Sequence, residues 1–182
     1  VAEAGSQAPR LVVWPEVPLP VYYYENAVFS EVVTRVAIRT RACLLLNVVA
    51  HTSQGAPLNS ALLVEPQGRP VARYDKVILV PFGEYVPRPF GFISRISSEV
   101  GDFVPGKKVV VLPAGQHRIG AFICYESVFP HLVRQFAAEG AELFVNISND
   151  GWYGRTVARD QHLKIVRMRA AENRRWILRA TN

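Results

Sequence analysis

Apolar residues along the chain come in short runs broken by turn-forming residues, and the runs switch between two periods. Leu11-Val12-Val13-Trp14 reads as a buried strand after a polar lead. Residues 26–41 carry Phe29, Val32, Val33 and Val36 at the i, i+3, i+4, i+7 spacing of an amphipathic helix, with Glu31, Arg35 and Arg39 on its other side. Residues 43–50 form a near-continuous apolar run, the mark of a strand covered on both faces. Residues 59–64 and 71–74 flank Pro66-Gln67-Gly68-Arg69 and predict a hairpin. Residues 81–106, rich in Pro and Gly, predict a long loop with one short helical turn. Strands follow at 109–112 and 119–124, then a short helix at 131–139 that stops at Gly140. A strand at 142–147, a helix from about 160 to 174 and a last strand at 176–182 complete the pattern. Helices alternating with strands, plus one hairpin, predict an α/β class with a mixed sheet.

Composition narrows this picture. With 49% hydrophobic and 20% charged residues in 182, the chain reads as globular rather than disordered. No apolar run approaches the roughly 18 residues of a membrane span. The start, Val1-Ala2-Glu3-Ala4-Gly5, lacks the basic and apolar segments of a signal peptide. The two cysteines, Cys43 and Cys124, exclude a disulfide scaffold and a multi-cysteine zinc site. His51, His117, His131 and His162 show no metal-ligand spacing and read as structural or surface residues. The abrupt first and last strands predict a piece of a longer protein.

Charge is unevenly placed. Residues 1–154 hold thirteen basic and thirteen acidic groups, so the whole net charge of +6 lies in residues 155–182. On a helical projection Lys164, Arg167, Arg174 and Arg175 share an arc of roughly 100°, while Arg169 and Glu172 point elsewhere. Such a stripe suits an anionic surface such as lipid headgroups, but it is read first as a solvated helix face or as a partner of acidic groups elsewhere in the parent protein.

Three polar residues end apolar strands: Glu16 after Leu-Val-Val-Trp-Pro, Lys76 after the hairpin, and Cys124 after Ile119-Gly120-Ala121-Phe122-Ile123. Strand ends are where α/β folds gather reactive groups, because the rigid sheet aims side chains from there. A thiol with a carboxylate base and an ammonium to hold an oxyanion makes a nucleophile for a carbonyl carbon. The Tyr125 N–H, next after the thiol, is a natural second donor. Taken singly, each has a plainer reading: a buried small hydrophobe, a solvated carboxylate, a surface lysine. Cys43, opening a buried strand, keeps the plain one.

The surrounding residues add a resemblance. Trp14-Pro15-Glu16, Tyr74-Asp75-Lys76 with Leu79-Val80-Pro81-Phe82-Gly83-Glu84-Tyr85-Val86-Pro87, and Cys124-Tyr125-Glu126-Ser127 resemble the carbon–nitrogen hydrolase (nitrilase) superfamily, in that superfamily's order of Glu, Lys and Cys. Arg169-Ala170-Ala171-Glu172-Asn173 looks like its later helix. Residues 80–87, Ile123–Ser127 in sequence, Asn146-Ile147-Ser148-Asn149-Asp150-Gly151-Trp152-Tyr153-Gly154, and Gln161-His162-Leu163 leading to Arg167-Met168-Arg169-Ala170 are similar to its apolipoprotein N-acyltransferase branch. Tyr153 stands where that branch often has Phe.

The resemblance implies a nitrilase-like α-β-β-α sandwich with mixed sheets, present as one partial domain over 1–182 and truncated at both ends. It implies Cys124 as nucleophile, Glu16 as base and Lys76 as oxyanion holder, with Glu84, Tyr125 and Glu126 in support. The implied reaction moves a fatty acyl chain from a phospholipid, through a Cys124 thioester, to the N-terminal amine of a diacylglyceryl-cysteine apolipoprotein. The implied setting is the periplasmic face of a bacterial inner membrane, reached through segments absent from this chain. No metal, organic cofactor or nucleic acid is implied. Residues 85–106, with Tyr85, Phe90, Phe92, Ile93, Ile96 and Phe103, are expected either as an apolar lid that admits an acyl chain or as packing under a loop. Trp152 and Tyr153 are expected to line the acyl or headgroup site, or to pack in the core. Two alternatives stand beside acyl transfer: a soluble amidase or nitrilase with the same three residues, and a non-catalytic module that binds lipid or lipoprotein.

Overall fold

A computed structural model describes residues 8–16, 22–87, 103–154 and 156–182. Its strands are β1 (Leu11–Val13), β2 (Cys43–His51), β3 (Pro57–Val64), β4 (Pro70–Asp75), β5 (Val111–Ala114), β6 (His117–Ile123), β7 (Leu143–Ile147) and β8 (Trp176–Ala180). Its helices are α1 (Ala27–Thr40), α2 (Pro130–Ala138) and α3 (Ala158–Asn173), with 3₁₀ turns at Cys124–Val128 and Asp150–Tyr153. One sheet runs β1-β2-β3-β4 and the other β5-β6-β7-β8. β1 lies parallel to β2, while β2, β3 and β4 are antiparallel neighbours. In the second sheet β5 opposes β6, and β6, β7 and β8 are parallel.

The pleat sorts the core into layers. In β2, Leu44, Leu46 and Val48 join Val33, Val36 and Ala37 of α1 in one apolar cluster. The alternate residues Cys43 and Leu45 join Ala61 and Leu63 of β3 in a second cluster with Ile119, Ala121 and Ile123 of β6. Gly120 of β6 points the other way: a Cβ there would sit 2.8 Å from Phe136 Cβ of α2, so only glycine lets this helix lie so close to the sheet. The order is therefore helix, sheet, sheet, helix, and β2 is buried on both faces as its unbroken apolar run predicts.

Local signals set the boundaries. The Asn26 side chain caps α1 by accepting from the Phe29 N–H at 2.9 Å, and Arg41 ends it in the left-handed region. Pro130 opens α2, and Gly140, at φ +87°, closes its turn. The fifth strand starts at Val111 rather than Val109, and β6 stops at Ile123, one residue before the cysteine.

The basic stripe is corrected. Arg174 takes the left-handed conformation and ends α3, so Arg175 lies beyond the helix and donates to Ala141 O at 2.9 Å. Arg169 is buried and paired with Glu172. Lys164 and Arg167 alone are left as exposed cations on the helix itself along that arc. Most of the expected lid, including Phe90, Phe92, Ile93 and Ile96, lies outside the described residues. Its flanks meet, because the Phe103 N–H donates to Glu84 O at 3.0 Å. Among the described residues no helix is long and apolar enough to cross a membrane.

Candidate active site

Glu16, Lys76 and Cys124 each follow the end of a strand, β1, β4 and β6 respectively, and the two sheets bring them to one place. β1 is extended by the Trp14 N–H donating to Leu45 O at 2.8 Å, which carries Glu16 along the edge of β2. The Lys76 N–H donates to Asn59 O at 2.8 Å. Gly106 locks the same point from behind: its N–H donates to Lys76 O at 2.7 Å, and a Cβ there would fall 2.1 Å from Asp75 O. Cys124 sits at φ +50°, a conformation that costs a non-glycine residue of order 1 kcal/mol and recurs where a side chain must be aimed.

The polar atoms interlock. Lys76 Nζ lies 2.8 Å from Glu84 Oε2, 3.0 Å from Glu84 Oε1 and 3.8 Å from Glu16 Oε1. Asn59 Nδ2 donates to Glu16 Oε1 at 3.0 Å and to Glu84 Oε1 at 2.6 Å. Asn47 Nδ2 in turn donates to Asn59 Oδ1 at 2.7 Å and fixes which way the amide points. The second oxygen of Glu16 accepts from the Asn149 N–H at 3.0 Å, and that of Glu84 from the Val80 N–H at 2.8 Å.

Burial and charge set the protonation states. Lys76 is 1% exposed; burial alone would favour the neutral amine, but the Glu16 and Glu84 carboxylates more than offset it, and the pKa lies above that of an ordinary lysine. The Cys124 thiol is pushed up to about 11, first by burial and then by the Glu16 charge. Lys76, the Ser148 hydroxyl and the Asn149 N–H oppose that rise. At neutral pH the sulfur therefore rests as the thiol. A resting thiol beside a carboxylate base suits proton removal in concert with attack.

Glu126 is fully buried and ties two strand ends together. Its Oε1 accepts from Tyr74 Oη at 2.6 Å and from the Val77 and Ile78 N–H groups at 2.8 and 3.2 Å; its Oε2 accepts from the Ile123 N–H at 2.8 Å. Burial pushes its pKa up, while the Ile123 N–H, Tyr74 and the Lys76 charge pull against that. The segment after Lys76 is thus stitched to the residue before Cys124.

The remaining expected residues fall in different surroundings. The half-buried Tyr125 ring packs edge-on against Phe129, with centroids 5.3 Å apart. Tyr153 packs edge-on against His162 at 5.6 Å, and burial followed by the nearby Cys124 raises its phenol pKa. Trp152 is 75% exposed, so core packing is excluded for it. Cys43 is buried in the apolar core, as its place in β2 implies.

The sequence reading left out Asn47, Asn59, Ser148 and Asp150. A signal existed for the first two: each is a polar residue inside an apolar strand, which needs a buried partner. Their partners lie far along the chain and are invisible to spacing.

The sequence model of the carbon–nitrogen hydrolase family matches residues 1–182. A protein of Geobacter metallireducens named apolipoprotein N-acyltransferase is 38% identical, the match covering 94% of this chain and 34% of that protein. A protein of the same name from Synechocystis is 37% identical, over 97% of this chain and 34% of that one. The chain thus spans about a third of the length of the curated relatives it matches. Among solved structures, an amidase from Nesterenkonia sp. superposes with a TM-score of 0.71 at 23% identity, covering 99% of this chain and 65% of the amidase. This likeness shows the fold, a nitrilase-like α-β-β-α sandwich with mixed sheets.

Proposed function

The chain belongs to the carbon–nitrogen hydrolase family, and on that premise we propose that it cleaves an acyl group from its donor through a thioester on Cys124. The convergence of Glu16 and Lys76 on one buried thiol, with Glu84 paired to that lysine, carries this reading. Glu16 takes the Cys124 proton as Sγ bonds to the carbonyl carbon. The carbonyl oxygen becomes an oxyanion, held by the Lys76 ammonium and the Tyr125 N–H. Collapse of this adduct expels the leaving group, which takes the proton back from Glu16. In the second half Glu16 removes a proton from the acceptor, the acceptor attacks the thioester, and Cys124 leaves with a proton. Glu84 holds Lys76 charged throughout. Preorganised donors in a water-poor site stabilise the oxyanion without having to reorient at the moment of reaction.

Two acceptors fit this chemistry. Water gives hydrolysis of a carbon–nitrogen bond, as in an amidase (a nitrile would first form a thioimidate that takes up water and loses ammonia to reach the same thioester), and the family match over residues 1–182 favours it. An amine gives N-acyl transfer, which the sequence reading put first. Relatives named apolipoprotein N-acyltransferase, 34–38% identical across 94–98% of this chain, support it. In it the donor is a phospholipid, the acceptor a diacylglyceryl-cysteine apolipoprotein, and the site a membrane surface facing the periplasm. It stands second because the match reaches only about a third of those relatives, and the full activity belongs to their whole length.

One experiment tests both. The chain is incubated with a short aliphatic amide and, separately, with a labelled phospholipid in detergent, and Cys124 is followed by mass spectrometry. An acyl adduct on Cys124 that water discharges supports hydrolysis; an adduct discharged only by an amine supports N-acyl transfer. The absence of any adduct on Cys124 with either donor refutes the thioester reading.

A further inference from the structure

Behind the nucleophile lies a second buried polar cluster that the reaction scheme does not use. It joins His162 of α3, Asp150 of the second 3₁₀ turn, Ser148 after β7 and Arg179 of β8. His162 Nε2 lies 3.2 Å from Cys124 O and 2.9 Å from Ser127 Oγ. Its Nδ1 lies 2.9 Å from Arg179 Nη2 and 3.2 Å from Asp150 Oδ1. Arg179 Nη2 also reaches both Asp150 oxygens at 2.9 Å, and its Nε donates to Asn146 Oδ1 at 3.1 Å. Ser148 Oγ donates to Asp150 Oδ1 at 3.0 Å.

The partners point to one tautomer. Nδ1 faces a donor, Arg179 Nη2 at 2.9 Å, and an acceptor, Asp150 Oδ1 at 3.2 Å; the guanidinium is the nearer, cannot accept, and already holds that carboxylate, so a lone pair on Nδ1 suits the pair. A backbone carbonyl only accepts, so a bond from Nε2 to Cys124 O needs the proton on Nε2. The Nε2–H tautomer meets both demands. Arg179 is anchored in turn by Asp150, so an ion pair orients a ring that grips the main chain of the nucleophile itself.

We propose that His162 is a positioning residue for Cys124: held as the Nε2–H tautomer by the Asp150–Arg179 pair, it clamps the Cys124 carbonyl and so keeps the cysteine in its left-handed conformation, thiol toward Glu16 and Lys76. Two observations support a clamp rather than ordinary core packing. The bond lands on Cys124, whose backbone is in the left-handed region and whose side chain must be aimed. The same Asp150 carboxylate also accepts from the Ser148 hydroxyl, and the next residue, Asn149, donates its N–H to the base Glu16, so one anion steadies both the nucleophile's backbone and the segment that holds its base. Displacing a nucleophile by 1 Å can cost about 100-fold in rate, which is the scale at which such a brace acts.

This inference rests on the thioester reading, and its test separates the two. 4-Nitrophenyl acetate serves as a generic acyl donor, and the nitrophenolate burst reports acylation. A burst that survives Cys124→Ala overturns the thioester reading itself. With that burst lost, His162→Ala is expected to lower the acylation rate constant about tenfold to 100-fold with KM little changed. His162→Gln, whose amide N–H stands near where Nε2–H did, is expected to recover a large part of the rate. A folded His162→Ala chain that acylates at the unsubstituted rate, or a Gln variant no better than Ala, overturns the clamp. Nitrogen NMR of the unsubstituted chain gives a reading that needs no variant: His162 should show a protonated Nε2 and a bare Nδ1. A protonated Nδ1 overturns the proposal outright.

Discussion

Lys76 Nζ is held 2.8 Å from Glu84 Oε2 and a full ångström farther from Glu16, so Glu84 is the lysine's ion-pair partner. This division frees Glu16. A carboxylate locked in a tight ion pair is a poor base, whereas Glu16 meets Lys76 only at 3.8 Å and takes its hydrogen bonds from an amide and a backbone N–H. The two acids are therefore expected to fail differently. Glu16→Gln removes the base and should lower acylation of Cys124 by about 10²–10⁴-fold at every pH tested. Glu84→Gln leaves Lys76 with Glu16 as its sole carboxylate partner among the groups described here. It should lower the rate by less than Glu16→Gln does, because the base is drawn toward the lysine but not removed. The nitrophenolate burst of each variant against pH measures both.

The Cys124 thiol gives a second expectation. With its pKa pushed up to about 11 by burial and by Glu16, alkylation by iodoacetamide should keep rising with pH until near 11. Lys76 pulls this pKa down, so Lys76→Met should move the profile further upward. The stability sign follows from the same shift. Between the ordinary thiol pKa and about 11 the unfolded chain loses this proton while the folded chain keeps it. This contribution is therefore full below the unfolded pKa and falls away as pH rises through the folded one. Urea midpoints across that alkaline window, compared with Cys124→Ala, check the direction, and peptide mapping keeps Cys43 apart.

Asn59 is the third test. Its amide N–H₂ sits between two carboxylates, and Asn47 fixes its orientation. Asn59→Asp would set a third acid against Lys76 and remove the donor that keeps Glu16 and Glu84 apart. Destabilisation of about 3 kcal/mol or more is expected, read as a lowered urea midpoint. Asn59→Leu removes the donor without adding charge and should cost less, on the order of 1–3 kcal/mol.

These sites also show what a sequence alone discloses. Glu16, Lys76 and Cys124 were legible because each stands just past an apolar strand and because the residues around them resemble the family's motifs; strand ends are fixed by period and turn residues. The covered strand β2 and the helix at 26–41 were legible for the same reason. Asn59 was not, because its meaning depends on Glu16, which lies 43 positions away, and on Glu84, which lies 25 away. Arg175 was misplaced because the helix ends on Arg174 in the left-handed conformation, where glycine usually marks the stop. His162 read as structural, and its buried contacts agree. Its grip on Cys124 O depends on packing that puts α3 behind the turn after β6, which no local pattern encodes.

Glu126 should prove the costliest single truncation. Ala there would leave the Tyr74 hydroxyl and the N–H groups of Val77, Ile78 and Ile123 in the interior without their acceptor. A buried donor left unpaired costs about 1–3 kcal/mol, so the loss should reach several kcal/mol. Glu126→Gln keeps the shape but turns an amide N–H₂ toward N–H donors, and should recover only part of it. Chemical denaturation of the three chains side by side gives the order: unsubstituted, then Gln, then Ala.

Gly106 offers a test of position without touching a polar side chain. A methyl group there would fall 2.1 Å from Asp75 O and 2.9 Å from Asp75 Cβ, so the backbone on one side must shift. The residue that follows Asp75 is Lys76, whose carbonyl the Gly106 N–H holds. Gly106→Ala is therefore expected to move Lys76 away from Glu84 and from the carbonyl it would polarise. Acylation of Cys124 should fall by at least about tenfold, while the far-UV spectrum stays that of the folded chain. A variant that is folded and fully active would mean that Asp75 can yield without carrying Lys76 along.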